Sequence, residues 1–197
     1  MEVYTIGHST HTQEAFLKLL NDAEITQLID VRAFPGSCKF PHFHQNQMKR
    51  WLPEHDIGYT HIAALGGRRR KSKTIDPERN AGWINQSFHN YADYTLTPEF
   101  EAGIEQLEQA ASKQRIAICC AERHPSKRIA ICCAERHPSR CHRLLISNWL
   151  VAHNWEVRHI LDGPKDEILI INHELRKWGA EPVLQHNGQV IYPPKIN

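Results

Sequence analysis

The chain has 197 residues, 41% of them apolar and 23% charged, with a formal net charge of +2. That balance excludes a disordered chain or a strongly basic polyanion binder, and the length suits one domain with a sizeable core. The opening MEVYTIGHS lacks a basic stretch leading into an apolar one, and no run approaches the roughly 18 apolar residues of a membrane span; a cytoplasmic protein with reduced thiols and no membrane partner is expected.

Short β-branched runs alternate with stretches of helical period along the chain, the pattern of parallel strands joined by crossover helices. Val3 to Ile6 is the first predicted strand, and Thr12 is the N-cap of a helix with Phe16, Leu19, Leu20 and Ala23 inward. Gln27 to Val31 is the second strand. Met48, Trp51, Leu52 and His55 follow at helical spacing, and Tyr59 to Ile62 offers a third strand. Thr97-Pro98-Glu99 combines a cap, a proline at the first helical position and an early acid, so a helix buries Phe100, Ile104, Leu107 and Ala111. Pro138 starts a further helix with Leu145, Trp149 and Ala152 inward, and Glu156 to Leu161 returns as a core strand. A closing helix is predicted over Asp166 to Lys177, and Asn187-Gly188 suits the turn of a terminal hairpin. The expected architecture is a single-domain, three-layer α/β fold over residues 1–197, with a mainly parallel sheet flanked by helices.

Between the Thr97 helix and the Pro138 helix start lies a 13-residue block that occurs twice in tandem, RIAICCAERHPSK from Arg115 and RIAICCAERHPSR from Arg128. Solenoids need periods of about 20 residues or more and at least three copies, so the segment 115–140 reads as an in-frame duplication or a sequence error. Each copy carries three basic residues and one acid, so the net charge of the whole chain equals the surplus of one copy. Two identical stretches then compete for one strand position. Loop closure barely separates them, because doubling a loop costs only about 0.6 kcal/mol. Keeping the link from strand to Pro138 short favours Ile129 to Cys133 as the core strand, with Arg115 to Lys127 as a poorly packed excursion that exposes Ile116 and Ile118.

Unusual residues gather where these strands end. Gly7-His8-Ser9 follows the first, Asp30-Val31-Arg32 ends the second, Leu65-Gly66-Gly67 follows the third, and Cys133-Ala134-Glu135 ends the repeated one. Open parallel sheets bind ligands outside that edge, so one crevice is expected there. TIGHST, LIDVRAFPGS, LGGRR, NAGWINQSFHNYADY and CAERHPSRCHR together resemble the signature blocks of the bacterial family known as domain of unknown function 488. The resemblance spans nearly the whole chain and implies an α/β fold with a site near these motifs. It supplies no reaction, and the family pattern has a single CAE-to-CHR block where this chain has an additional 13 residues.

The chemistry is therefore read from the residues. Cys133, at a strand end and close in sequence to Arg136, Arg140, Arg143 and a helix start, has the surroundings that favour a thiolate nucleophile. The layout is similar to that of rhodaneses and cysteine phosphatases, although Arg140 lies one residue too far and Glu135 puts a negative charge where an anion would sit. Cys133, Glu135, His8 and Asp30 are the candidate catalytic residues. Ser9, Arg32, Gly66, Gly67, Arg68, His142 and Arg143 are the candidate substrate-binding residues. Thiol, imidazole and carboxylate side chains also permit a transition-metal site, but no paired C-x-x-C blocks occur, and Cys141 and His142, adjacent on a helix, would point about 100° apart. No metal ligands are assigned, and the sequence specifies neither a cofactor nor an oligomeric state. The basic run Arg68 to Lys73, with Trp51, Tyr59 and Trp83 as stacking rings, allows a nucleotide or nucleic-acid partner, with a solvated loop as the plainer account. Two classes of function follow: a cysteine- or glutamate-dependent transferase or hydrolase acting on an anionic small molecule, a nucleotide or a sulfur or phosphate compound; or a noncatalytic nucleotide or nucleic-acid binding module.

Overall fold

A computed structural model describes residues 1–36, 39–120, 137–164 and 167–195. Six strands form the main sheet: β1 (Glu2–Gly7), β2 (Gln27–Asp30), β3 (Gly58–His61), β4 (Ile116–Cys120), β5 (Glu156–Asp162) and β6 (Ile168–Asn172). Their order is β3-β2-β4-β1-β5-β6, parallel throughout except for β6, which runs antiparallel to β5. A small hairpin, β7 (Val183–Leu184) and β8 (Val190–Ile191), closes the chain around Asn187-Gly188 as expected.

The strand period of two distributes side chains to the two faces of the sheet. Tyr4, Ile6, Leu28, Ala117, Cys119 and Ile160 join one core with helices α1 (Gln13–Asp22) and α2 (Gln45–Trp51). Val3, Ile29, Ile116, Ile118, Cys120 and Val157 join the other with α3 (Gln86–Tyr94), α4 (Pro98–Ala111) and α5 (Arg143–Ala152). The fold is thus a three-layer α/β sandwich. Thr12 caps α1 by accepting from the Ala15 N–H, and Thr97 caps α4 by accepting from the Phe100 N–H, both as their sequence signals predict.

Three expectations change. The closing helix over Asp166 to Lys177 is instead the edge strand β6, since the Ile168-Leu169-Ile170-Ile171 run pairs along β5. Helix α3 had no counterpart among the predicted elements, although Asn85 caps it by accepting from the Ser87 and Phe88 N–H groups. Most consequential is the central strand: Ile116–Cys120, from the first copy of the repeat, is paired between β2 and β1 with every residue buried. Ile116 and Ile118 are core residues, not exposed ones. Ile129 to Cys133 falls outside the described residues.

The physical reason lies on the side of α4. That helix ends at Ala111 with Ser112 as its C-cap, leaving only a few residues before Ile116. Arg115 then pins the junction: its carbonyl accepts from the N–H groups of Thr26 and Gln27, its Nε donates to the Ala23 carbonyl at 2.9 Å, and its guanidinium lies 4.6 Å from the Tyr4 ring centre. Arg128 opens the second copy and brings the same side chain, so it is the short helix-to-strand link that selects the first copy, whereas the expectation of the second rested on the strand-to-helix side alone.

Behind β1 and β5 runs a buried polar chain. Arg143 donates to Thr5 Oγ1 at 3.3 Å, Thr5 Oγ1 meets His159 Nδ1 at 2.8 Å, and His159 Nε2 meets His173 Nδ1 at 2.9 Å. His173 Nε2 meets Asn148 Oδ1 at 2.8 Å, and Asn148 donates to the Tyr192 hydroxyl at 3.2 Å. With Asn148 Oδ1 as acceptor, His173 carries its proton on Nε2 and accepts at Nδ1. His159 then donates from Nε2 and accepts from the Thr5 hydroxyl, so both rings are neutral and every bond is satisfied in one direction.

Two expected outcomes follow from this architecture. Burial, reinforced by the His173 ring, depresses His159 to about 2, and burial depresses His173 to about 4. Unfolded histidines titrate near 6.5, so between these values the unfolded chain takes up protons that the folded one refuses. Stability is therefore complete above about pH 6.5 and falls toward pH 4 by about 1.4 kcal/mol per histidine per pH unit. Urea unfolding midpoints that stay level from pH 7 to pH 4.5 would contradict this. Because the first copy supplies the strand, deleting residues 121–133, which restores a single block, should leave urea stability within about 1 kcal/mol of the parent. A collapse of the unfolding transition in that deletion would show that the second copy contributes to the core.

Candidate active site

The crossovers leave β1 and β4, which are neighbours, toward opposite faces. After β1 the chain passes through α1 on one face toward β2, and after β4 it reaches β5 through α5 on the other. Such a switch point opens a crevice beyond the carboxyl ends of the strands. Gly7 and Cys120 stand side by side in register at that edge.

On the α5 face, three side chains that could share one ligand converge. The donor atoms of Cys120, Cys141 and His142 all lie within 4.8 Å of one another, and all three residues are buried. Cys120 Sγ is 3.4 Å from His142 Nδ1, and Cys141 Sγ is 3.8 Å from the same nitrogen. Two adjacent helical residues would diverge, but Cys141 is extended, at the end of the 3-10 turn Pro138–Arg140, and the helix begins only at Arg143. Their side chains can therefore point together. Tyr91 of α3 lies against the His142 ring, 4.8 Å between centres, and fixes its own hydroxyl on the Leu65 carbonyl.

The two neighbouring thiols of β4 differ sharply. Cys119, on the α1 face, is pushed up to about 12 by burial and the Asp30 charge, so it is an inert protonated thiol. Burial would also raise Cys141, but the contacts from Cys120 and His142 and the Arg143 charge outweigh it and hold Cys141 well below the usual thiol range. The Arg143 N–H, in the first turn of α5, is 3.5 Å from Cys141 Sγ and adds to that stabilisation.

On the α1 face, Asp30 and Arg32 form an ion pair that is almost wholly buried, 0% and 1% exposed. Arg32 Nε donates to both Asp30 oxygens at 2.9 and 3.0 Å, Nη2 donates to Oδ2 at 2.6 Å, and Nη1 donates to the Phe43 carbonyl at 2.8 Å. The Asp30 carboxylate also accepts from the Arg32 N–H and from the Tyr59 hydroxyl. Burial disfavours the guanidinium charge, but the bonds and charge of Asp30 outweigh it and raise its pKa; burial and the same carboxylate raise Tyr59. The pair therefore locks the segment after β2 against α2, and most of its bonding capacity is spent within the protein.

His8 stacks on Phe43 at 4.3 Å, on the same face as that pair. Its Nδ1 lies 3.0 Å from the Ser9 carbonyl, which can only accept, so the proton sits on Nδ1. Burial, with the nearby Arg32 charge, lowers its pKa to about 4, so the ring is neutral and Nε2 carries a lone pair. That nitrogen is buried and meets no hydrogen-bond partner among the described residues. Ser9 is buried at φ 45, a left-handed conformation that costs a non-glycine residue of order 1 kcal/mol or more.

Gly66 packs where a Cβ would stand 2.9 Å from Ala33 Cα, so its role is a close approach of two loops, and Gly67 beside it is buried. In the basic run, Arg69 clamps the Ala64 and Gly66 carbonyls and covers the Tyr94 ring at 3.6 Å, while Arg68, Arg70, Lys71 and Lys73 are exposed. Arg68 lies over the exposed ring of Phe34. Cys133 and Glu135 lie outside the described residues. Cys120, the counterpart of Cys133 in the first copy, is not among the site residues assigned from sequence; Cys141 enters there only as a metal ligand and Tyr59 only as a stacking ring, and the His159–His173 chain has no signal. A shallow hollow lined by Gly7, His11, Leu19, Ile160, Leu161 and Asp162 opens at the ends of β1 and β5, on the side away from the thiols.

The model of the family described as Domain of unknown function DUF488 matches residues 12–127, more than half of the chain. The chain belongs to this family. The DUF488 match takes in β2, β3 and β4 and ends with the first copy of the repeat. No curated protein and no solved structure matches the chain. Among the described residues, no helix is long and apolar enough to cross a membrane.

Removing one partner of the Asp30–Arg32 pair leaves the other charge buried. Asp30→Asn is expected to cost about 3–5 kcal/mol in urea unfolding, and Asp30→Asn with Arg32→Met to cost less than the two single changes added. Additive losses would mean that the two side chains do not act as a pair.

Proposed function

We propose that this chain is a small enzyme that acts on an anionic small molecule, a nucleotide or a sulfur or phosphate compound, in the crevice beyond the carboxyl ends of β1 and β4. The observation that carries this reading is the meeting of two thiols and an imidazole, Cys120, Cys141 and His142, at the switch point of a parallel sheet. Three further features support it. The thiol of Cys141 is held low by its neighbours, which favours the reactive thiolate. Arg143 sets a fixed positive charge beside it, the complement of an anionic substrate. His8 at the end of β1 offers a neutral imidazole with an available lone pair, suited to accept a proton.

The location expected from the strand-end motifs is kept in this proposal, while the reactive cysteine moves to Cys120 and Cys141. Asp30 and Arg32 act as the support of the crevice wall, and the exposed arginines and lysines after Gly67 are available to phosphate groups at its rim. Cytoplasmic residence belongs to the same proposal, since chemistry at thiols requires that they stay reduced.

Two measurements test the reading. In chelator-treated protein, iodoacetamide near neutral pH should modify Cys141 or Cys120 well before Cys119, and Cys141→Ser should lower kcat/KM about a hundredfold or more on whichever phosphate ester, nucleotide or thiosulfate-type compound is turned over. Saturable nucleotide binding without turnover, together with alkylation no faster at Cys141 than at Cys119, would replace the enzyme by a noncatalytic binding module.

A further inference from the structure

The distances within the thiol–imidazole cluster have a second meaning. Zinc holds thiolate sulfur at about 2.3 Å and imidazole nitrogen at about 2.0–2.1 Å, and a tetrahedral angle between them sets sulfur and nitrogen about 3.5 Å apart. The two contacts to His142 Nδ1, 3.4 Å from Cys120 and 3.8 Å from Cys141, bracket that edge length. Thiol-to-imidazole hydrogen bonds span the same lengths, so the case for a metal is the convergence of three donors from backbone positions fixed by different elements: the end of β4, the extended residue after the 3-10 turn, and the cap of α5.

We propose that Cys120 Sγ, Cys141 Sγ and His142 Nδ1 bind a divalent transition metal, with zinc as the best match of donor set and geometry. The inference rests on the proposed catalytic crevice and names the cofactor of that site. Two thiolates would match the charge of one divalent ion beside the apolar side chains of Ile118, Leu144 and Leu145, with Arg143 as the neighbouring cation. The surroundings are those of a built site. The Arg143 N–H reaches Cys141 Sγ, the kind of amide-to-sulfur contact that orients a ligating thiolate, and Tyr91 holds the plane of the His142 ring. Three donors are found among the described residues, so the fourth corner of the tetrahedron would take a further ligand of this chain or the substrate or water molecule that zinc polarises. Cys119, one residue from Cys120 but on the other face of the sheet, lies outside the set and serves as an internal control.

The test uses the full chain. Metal-free protein titrated with zinc should take up about one ion per chain by elemental analysis. Titration with cobalt(II) should develop thiolate-to-cobalt charge-transfer absorption and the strong visible bands of a tetrahedral ion, both erased by zinc. Cys120→Ser, Cys141→Ser and His142→Asn should each weaken binding by more than about tenfold. Cys119→Ala should leave it unchanged, and His142→Cys should restore binding with a stronger charge-transfer band. The wild-type cobalt spectrum decides the matter even if a substitution fails to fold. Absence of that spectrum, substoichiometric zinc, or a Cys120–Cys141 disulfide in protein purified without oxidant would each overturn the proposal. Turnover that survives chelation in a protein without the cobalt spectrum would remove the metal and keep the enzyme. A cobalt spectrum in a protein inert toward every substrate would keep the metal site and remove the catalytic reading.

Discussion

Everything at the carboxyl edge depends on the central strand position between β2 and β1. A parallel strand in that place is covered on both faces, so it must be apolar throughout and its ladder must be complete on both sides. IAICC meets the first demand, and the register Gln27 with Ile116 and Tyr4 with Ala117 meets the second. Once β4 is seated, alternation alone sends Cys119 to the α1 face and Cys120 to the α5 face. One becomes a packing residue with an inert thiol, and the other becomes part of the only three-donor cluster among the described residues. A shift of one position in that strand would exchange their roles.

The sheet and its covering helices were legible because their signals were local and redundant. Thr12 and Thr97 as caps, Pro98 at a first helical position, and the apolar stripes of α1 and α4 each combine two or more independent cues. Helix α3 carried a cap at Asn85 and the apolar pair Phe88 and Tyr91, but its polar remainder hid the period. Strand β6 was read as a helix because charged residues flank a short apolar run, and length is a poor arbiter for such runs. The choice between the two identical blocks could not be made from composition at all. It turned on the link from the end of α4 at Ala111, which is only a few residues long when the first copy pairs, and the packing that fixes that helix end is tertiary and leaves no trace in a local pattern.

The same division separates the candidate residues that the strand ends reveal from those that they do not. His8, Asp30 and Arg32 stood out as polar groups at strand ends, and they do cluster, with the charge of Arg32 and that of Asp30 both acting on the His8 ring. What the residue types could not reveal is how they are spent. The guanidinium of Arg32 bonds to Asp30 and Phe43, and Tyr59 completes the carboxylate's shell, so most of the pair's bonding capacity is spent inside the protein. Cys141 and His142 show the opposite case. Read as helical neighbours they would diverge, but one extended residue before the helix start brings their donor atoms to 3.8 Å.

The repeat finally separates what a site needs from what joins its parts. Cys133 stands eight positions before Cys141, whereas Cys120 stands thirteen further away, yet it is Cys120 whose sulfur meets His142. The end of β4 is held by its ladder and by the link to α4, and Cys141 and His142 are held by the packing of α5 beneath them. Each half is thus positioned without reference to the length of chain between them, and lengthening such a connection costs little beyond the logarithm of its size. A site assembled from two independently anchored elements can accept an inserted block, where a site built within one continuous loop would lose its geometry. That independence is what allows one copy of the block to supply the strand and the other to lead into the helix.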